Sequence, residues 1–229
     1  VSHKVMEFHE YVNLFSGKSG SGKSTVMDAI QVILYGSFSP SFLNKAADDA
    51  KNRRSVLSYL RGEQKDGSAN RKDCDFCSVI ALEIEDTGTH IITCIGIAFE
   101  VRKSDSEIKK FVYFSHSGKM PESEYLTEQG VCYSNQEIKK LVSARTKSDD
   151  NRGKGEVNRI YGSKEAYLGT LYDVILGYID QNRFITMEKS AIALKMTNGT
   201  GQFIRDYMFP KNTSNTIATI SEQLDSYRQ

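Results

Sequence analysis

Residues 17–25 read GKSGSGKST, a full match to the pattern G-x-x-x-x-G-K-[ST], and no other feature constrains the chain as strongly. An apolar run at residues 11–15 precedes the motif, and a helical pattern at residues 26–34 follows it. Strand, loop and helix in that order are what a phosphate-binding loop requires. Gly17, Gly20 and Gly22 let the backbone curl until successive N–H groups point at one anion. The helix that follows turns its positive end toward the same point. Lys18, Ser19, Ser21 and Thr25 complete the cradle, Lys23 is placed to reach the β- and γ-phosphates, and Ser24 supplies a hydroxyl for Mg²⁺. A nucleoside triphosphate with its magnesium ion is the expected ligand.

At 229 residues the chain is long enough for a sizeable core, and one domain with a small added lobe is expected. No run approaches eighteen apolar residues, so no membrane span is expected. The opening VSHKVMEFHE carries charges where a secretory signal needs an apolar stretch. A cytoplasmic protein with reduced cysteines follows as the expectation. The net charge of +1 says nothing for or against nucleic acid, so that question rests on patches. Residues 45–72 hold eight basic residues against four acidic ones, and residues 139–164 hold eight against three. Both stretches are also rich in loop-forming residues, and each reads either as solvated surface or as a footprint for phosphate backbone.

Along the chain, residues 5–8 and 11–15 read as short strands leading into the loop. Val26, Ile30, Ile33 and Leu34 recur at helical spacing until Gly36 supplies a stop. A short helix is expected at residues 55–61, and paired strands at 77–84 and 91–99 around the turn 86–89. Residues 111–114 add a strand, residues 167–178 an amphipathic helix, 191–194 a late strand and 203–208 a short helix. Finally, Ile217, Ile220, Leu224 and Tyr227 form one seam of a coiled coil. The expected division is therefore an α/β head over residues 1–212 and the root of a coiled-coil arm over 213–229.

Hydrolysis asks for a second carboxylate at a strand end to hold the metal, and for a group that positions water. No run of four apolar residues followed by Asp-Glu occurs; the nearest candidate is VIALE at 79–83, continuing to Glu85. No base-reading N-K-x-D occurs, TKSD at 146–149 being only an echo, and no L-S-G-G-Q-like signature is present. CDFC at 74–77 lacks the second ligand pair that zinc requires. Cys77 and Cys94 fall instead in expected strands, where a small apolar residue suffices. A phosphate loop without its metal-binding acid is accounted for if the missing half returns from beyond a coiled coil.

That organisation resembles the SMC and Rad50 type ATPases. NLFSGKSGSGKSTVMDAIQVILYG is similar to the opening of an SMC-like head, with an antiparallel β lobe beside the P-loop as in ABC-type ATPases. FLNKAA, RRSVLSYLRGE and DFCSVIALEIED resemble N-terminal head segments of the MukB/MksB-like branch, and within it the JetC family of Wadjet plasmid-defence systems. The resemblance runs in patches from residue 8 to residue 229. It implies an ATP-dependent bacterial DNA motor associated with the nucleoid, in which two heads of a homodimer sandwich two ATPs with Mg²⁺ and extrude loops of double-stranded DNA. It further implies as partners the protein's own C-terminal head half, a kleisin, a small winged-helix subunit and a separate nuclease. By the same resemblance Arg53, Arg54 or Arg61 corresponds to an arginine near nucleotide and DNA. Gln202, with Gln181 as competitor, corresponds to a glutamine that serves metal and catalysis alongside Lys23. Chromosome organisation, a self-contained kinase or nucleotidase using Glu83 or Glu85, and a scaffold gated by nucleotide stand as the alternatives.

Overall fold

Strands β1 (Phe76–Glu85) and β2 (Ile92–Val101) form the hairpin expected around residues 86–89. Asp86 builds the turn, its Oδ1 accepting from the backbone N–H of Thr89 at 2.8 Å and of Gly88 at 2.9 Å. The same two donors hold this exposed carboxyl below the usual carboxylate range. Strand β3 (Lys110–Ser117) pairs with β2, and the three-residue β4 (Arg159–Tyr161), which no sequence pattern announced, pairs with β3. The order is β1-β2-β3-β4, antiparallel throughout. At Gly96 the hairpin strands come so close that a Cβ would lie 2.4 Å from the Ile80 carbonyl oxygen, which explains glycine inside a strand. The computed structural model describes residues 3–18, 20–40, 43, 54–64, 67–148 and 157–192, in two compact units, 1–179 and 180–229.

Side chains alternate across a sheet, so the two faces of the first unit carry different cores. On one face Ala98 and Phe114 pack with Ile138 and Val142 of helix α3 (Asn135–Ser148) and with Tyr125, flanked by Val79 and Ala81. Helix α3 occupies part of the basic stretch that looked like loop. Its start is a capping box: the Glu137 carboxylate accepts from the Ser134 N–H at 2.7 Å, and the Glu137 N–H donates to Ser134 Oγ at 3.4 Å. On the other face lies helix α1 (Lys23–Tyr35), which packs on β1 and β2. Phe38, just beyond it, meets the rings of Phe99, Phe111 and Tyr113. Helix α2 (Val56–Arg61) is capped by Ser55, whose Oγ accepts from the Ser58 N–H at 3.1 Å.

The expected helix at 167–178 is helix α4 (Lys164–Gly169) running into a π-helical segment, Thr170–Ile175. The wider turn shifts the apolar stripe. Tyr167, Leu168, Leu171 and Tyr172 are buried, whereas Val174 and Tyr178, which the 3.6-residue period placed inside, are exposed. In the second unit, helix α5 (Gln181–Ile192) is capped by Asp180, whose Oδ1 accepts from the Arg183 N–H at 2.8 Å. Ala191 and Ile192 therefore end a helix and do not begin the expected strand; the Asp180 cap starts a helical register that runs through both. The helix at 203–208, the coiled-coil seam and the boundary at 212/213 lie outside the described residues.

Residues 5–8 and 11–15 also form no strand. Asn13 is the local cause: its Oδ1 accepts from the His9 N–H at 2.6 Å and its Nδ2 donates to the His9 carbonyl at 2.8 Å. These bonds close a loop, and the Phe8 and Phe15 rings meet edge to face across it, centroids 6.0 Å apart. Tyr11, Val12 and Leu14 are 80%, 78% and 91% exposed.

Candidate nucleotide-binding site

The loop between Gly17 and Lys23 takes its shape from two left-handed glycines. Gly20 has φ 83° and Gly22 has φ 89°, and a Cβ at either would meet nothing within 4 Å. The backbone conformation itself therefore demands glycine there. The Ser21 N–H donates to the Lys18 carbonyl at 3.2 Å, and the Val26 N–H closes the first helical turn on Gly22 at 3.2 Å. Lys23 spans the loop, its ammonium donating to the carbonyls of Gly17 (2.6 Å) and Lys18 (3.0 Å) and to Ser21 Oγ (3.3 Å). The first turn of α1 contains no acidic residue, so nothing in it offsets the positive end of the helix. Gly17, Lys18, Gly20, Ser21, Gly22, Lys23, Ser24 and Thr25 are thus contiguous around one solvent-facing, cationic helix start; Ser19 lies outside the described residues.

Three tyrosines hold the far end of that helix. The hydroxyls of Tyr167, Tyr172 and Tyr113 donate to the carbonyls of Ile33 (3.0 Å), Leu34 (2.9 Å) and Gly36 (2.6 Å). Ile33 and Leu34 lie in the last turn, whose carbonyls lack i+4 partners, Gly36 is the C-cap, and the Ile33 carbonyl also accepts from the Gly36 N–H at 3.3 Å. Tyr113 and Tyr167 also stack, centroids 4.6 Å apart. Burial pushes the hydroxyls of Tyr113 and Tyr172 up to about 12 and raises that of Tyr167 well above its ordinary value, so all three remain donors. None of the three was legible as a site residue, because they come from β3, α4 and the π-helical segment.

On its flank α1 meets α2 across a cavity of about 250 Å³, whose lining includes Thr25, Asp28, Ala29 and Val32 from α1, Tyr59 from α2 and Ile80 from β1. Asp28 is buried, and its Oδ2 accepts from the Tyr59 hydroxyl at 2.5 Å. Burial and that carboxylate both drive the Tyr59 pKa well above its usual value. The arginines picked out from sequence have separate settings. Arg61 Nη2 donates to the carbonyls of Asp105 (2.6 Å), Lys103 (3.2 Å) and Arg102 (3.3 Å), tying α2 to the β2–β3 turn. Arg54 lies over the Tyr59 ring, 5.6 Å from its centroid, and Arg53 is outside the described residues.

The acids nearest in sequence to a metal-binding strand end point elsewhere. Ser78 and Ile80 line the cavity beside α1, so Glu83 and Glu85, of opposite parity on β1, project from the other face of the sheet. Glu83 accepts from the Met120 N–H at 2.7 Å, and Glu85 meets His90 at 3.0 Å. Glu83, Cys94 and His116 stand in one cross-strand row. His116 Nδ1 lies 3.0 Å from the Ser117 carbonyl and Nε2 2.9 Å from the Tyr125 hydroxyl. Burial pushes the Cys94 thiol up to about 12 and lowers the His116 pKa, leaving a thiol and a neutral imidazole, a pair without nucleophilic activation. Among the described residues no three His, Cys, Asp or Glu side chains group to hold a metal ion, and no helix is long and apolar enough to cross a membrane. Gln181 begins α5 in the second unit, and Gln202 lies outside the described residues.

Among known families, the P-loop containing region of AAA domain matches residues 1–50, the stretch that holds the loop and α1. No curated protein and no solved structure shows significant similarity to the chain. Residues 1–50 are therefore similar to a P-loop region, and the structure sets them beside a four-stranded antiparallel sheet.

Proposed function

We propose that the chain is the ATP-binding half of an SMC-like DNA motor head, whose hydrolytic site is completed by a second segment of the same protein and by a second protomer. One observation carries this reading. The phosphate loop is formed, yet the carboxylates of β1 project from the wrong face of the sheet, while the apolar stretch before the loop stands exposed with no strand beside it among the described residues. A P-loop helix ordinarily sits on a sheet whose first strand leads into the loop. Residues 5–15 have the composition of that strand and lack its neighbours among the described residues. The C-terminal head half would supply those neighbours together with the magnesium-binding acid and the signature motif.

The sequence patches similar to MukB/MksB-like heads point further, to double-stranded DNA as the track and to a kleisin, a winged-helix subunit and a nuclease as companions in plasmid defence of the Wadjet type. The JetC-like reading belongs to this level. Glu83 and Glu85 weigh against a self-contained kinase, since both lie across the sheet from α1.

The deciding experiment compares MgATP binding and turnover by the purified 229-residue chain. Binding without multiple turnover, restored when the C-terminal head half is co-expressed, is the expected result. Steady turnover by the chain alone would overturn the composite site. For DNA, affinity should fall steeply with salt, and Arg53→Ala with Arg54→Ala should flatten that slope. An unchanged slope would reduce both arginines to solvated surface.

A further inference from the structure

The helix that presents the phosphate loop is linked to a segment carrying two of the three arginines singled out from sequence. Asp28 sits on the second turn of α1, three residues beyond Thr25, and is only 5% exposed. Its Oδ2 accepts from the Tyr59 hydroxyl at 2.5 Å. Tyr59 in turn carries the Arg54 guanidinium on its ring. At the other end of this six-residue helix, Arg61 is fastened to three carbonyls of the β2–β3 turn. Helix α2 is thus held at two places, one on the antiparallel lobe and one on the P-loop helix. The cavity between α1 and α2 leaves room for the two helices to shift against each other, and the Asp28–Tyr59 bond spans it.

From this arrangement we infer that Asp28 and Tyr59 are a positioning pair, which makes the segment from Arg54 to Gly62 respond to nucleotide bound at the phosphate loop. The inference rests on the reading of that loop as a triphosphate site. A ligand that draws the start of α1 inward moves Asp28 with it, because a helix transmits displacement along its own hydrogen bonds. Tyr59 follows its acceptor, and Arg54 follows the ring on which it rests. Arg61 stays on the β2–β3 turn and serves as the pivot. Arg54 is accordingly the guanidinium whose position depends on the nucleotide, while Arg61 is structural. Burial keeps the Tyr59 hydroxyl protonated across the physiological range, so the link does not open through its own titration.

Hydrogen exchange on the full chain, with and without a magnesium-bound non-hydrolysable ATP analogue, tests this. In the wild type the analogue should slow exchange at residues 20–26 and also at residues 54–62, the latter on the order of fivefold or more. Tyr59→Phe keeps the ring and the Arg54 contact but removes the donor. It should retain protection at 20–26 and lose the nucleotide-dependent change at 54–62. Asp28→Asn, which keeps an acceptor oxygen, should retain part of that change. A merely structural bond would lower the unfolding midpoint and speed exchange in the ligand-free Tyr59→Phe protein, yet leave the nucleotide-dependent difference intact. That outcome, or protection confined to 20–26 in the wild type, overturns the inference. Absence of protection at 20–26 in the wild type would instead refute the triphosphate site, and the inference with it.

Discussion

The antiparallel lobe and the phosphate-loop segment are built on opposite plans. Ile95, Ile97, Phe99 and Phe114 are fully buried, both faces of the sheet are covered, and polar atoms such as those of His116 have partners. The loop segment has little burial, and local means hold it: two left-handed glycines, Lys23 across the carbonyls, and the Asn13 bonds to His9. The lobe gains stability from apolar area, and among its described residues no three His, Cys, Asp or Glu side chains group to hold a metal ion. The loop has the chemistry and relies for its rigidity on α1, whose far end the lobe anchors through three tyrosines. A site open to an anion has to expose its N–H groups, so its order must come from glycine geometry and from a support behind it.

Substitutions should separate the two regions. Phe114→Ala opens a cavity in the core of the lobe and should cost about 3–5 kcal/mol in a denaturant titration. Because α1 rests on the same sheet, loss of nucleotide binding should track that unfolding. Lys23→Ala should weaken binding of a fluorescent ATP analogue by about 3 kcal/mol, roughly a hundredfold, with the unfolding midpoint unmoved. A large stability loss there would show that the loop is structural and erase the contrast. Tyr113→Phe and Tyr172→Phe lie between the extremes. Each removes one helix-end hydrogen bond worth about 1 kcal/mol, and each should lower both stability and affinity if the anchoring matters to the site.

The lobe should also respond to acid. The His116 pKa lies below its ordinary value because burial disfavours the imidazolium and Arg145 adds to this, against the Ser117 carbonyl and Glu83. The unfolded chain thus takes up a proton near pH ~6.5, where the folded chain resists it. Stability is therefore complete above about pH 6.5 and falls as the pH drops toward the folded pKa. His116→Gln should flatten the decline in melting temperature below about pH 6.5; an unchanged slope would assign it to other groups. The smallest effect is expected at Leu14→Asp. At 91% exposure this change should alter the stability of the chain by less than about 0.5 kcal/mol, while abolishing binding of the C-terminal head half proposed above. A large loss of stability in the chain alone would show that residues 5–15 are already packed.

Much of this was legible in advance where the signal is local. The phosphate loop, α1 with its Gly36 stop, α2 and the β1–β2 hairpin follow from contiguous residues whose spacing admits few alternatives. Helix α3 was missed because its lysines and arginines read as loop, although Ser134-x-x-Glu137 and the spacing of Ile138, Leu141 and Val142 carry a helical signal. The strands at 5–8 and 11–15 failed for the opposite reason. An apolar run needs a neighbour to become a strand, and Asn13 offers a local ring of hydrogen bonds in its place.

Sequence alone determined that this chain has a place for phosphate, because glycine conformations and a helix start are encoded within nine consecutive residues. Only the tertiary structure decided which residues pack against the helix behind it. Asp28 and Tyr59 are thirty-one positions apart, and the tyrosines behind α1 come from three different elements. The face toward which Glu83 points follows from strand register. Such pairings arise from how elements pack, and burial rewards apolar area without regard to separation along the chain, so no local pattern records them.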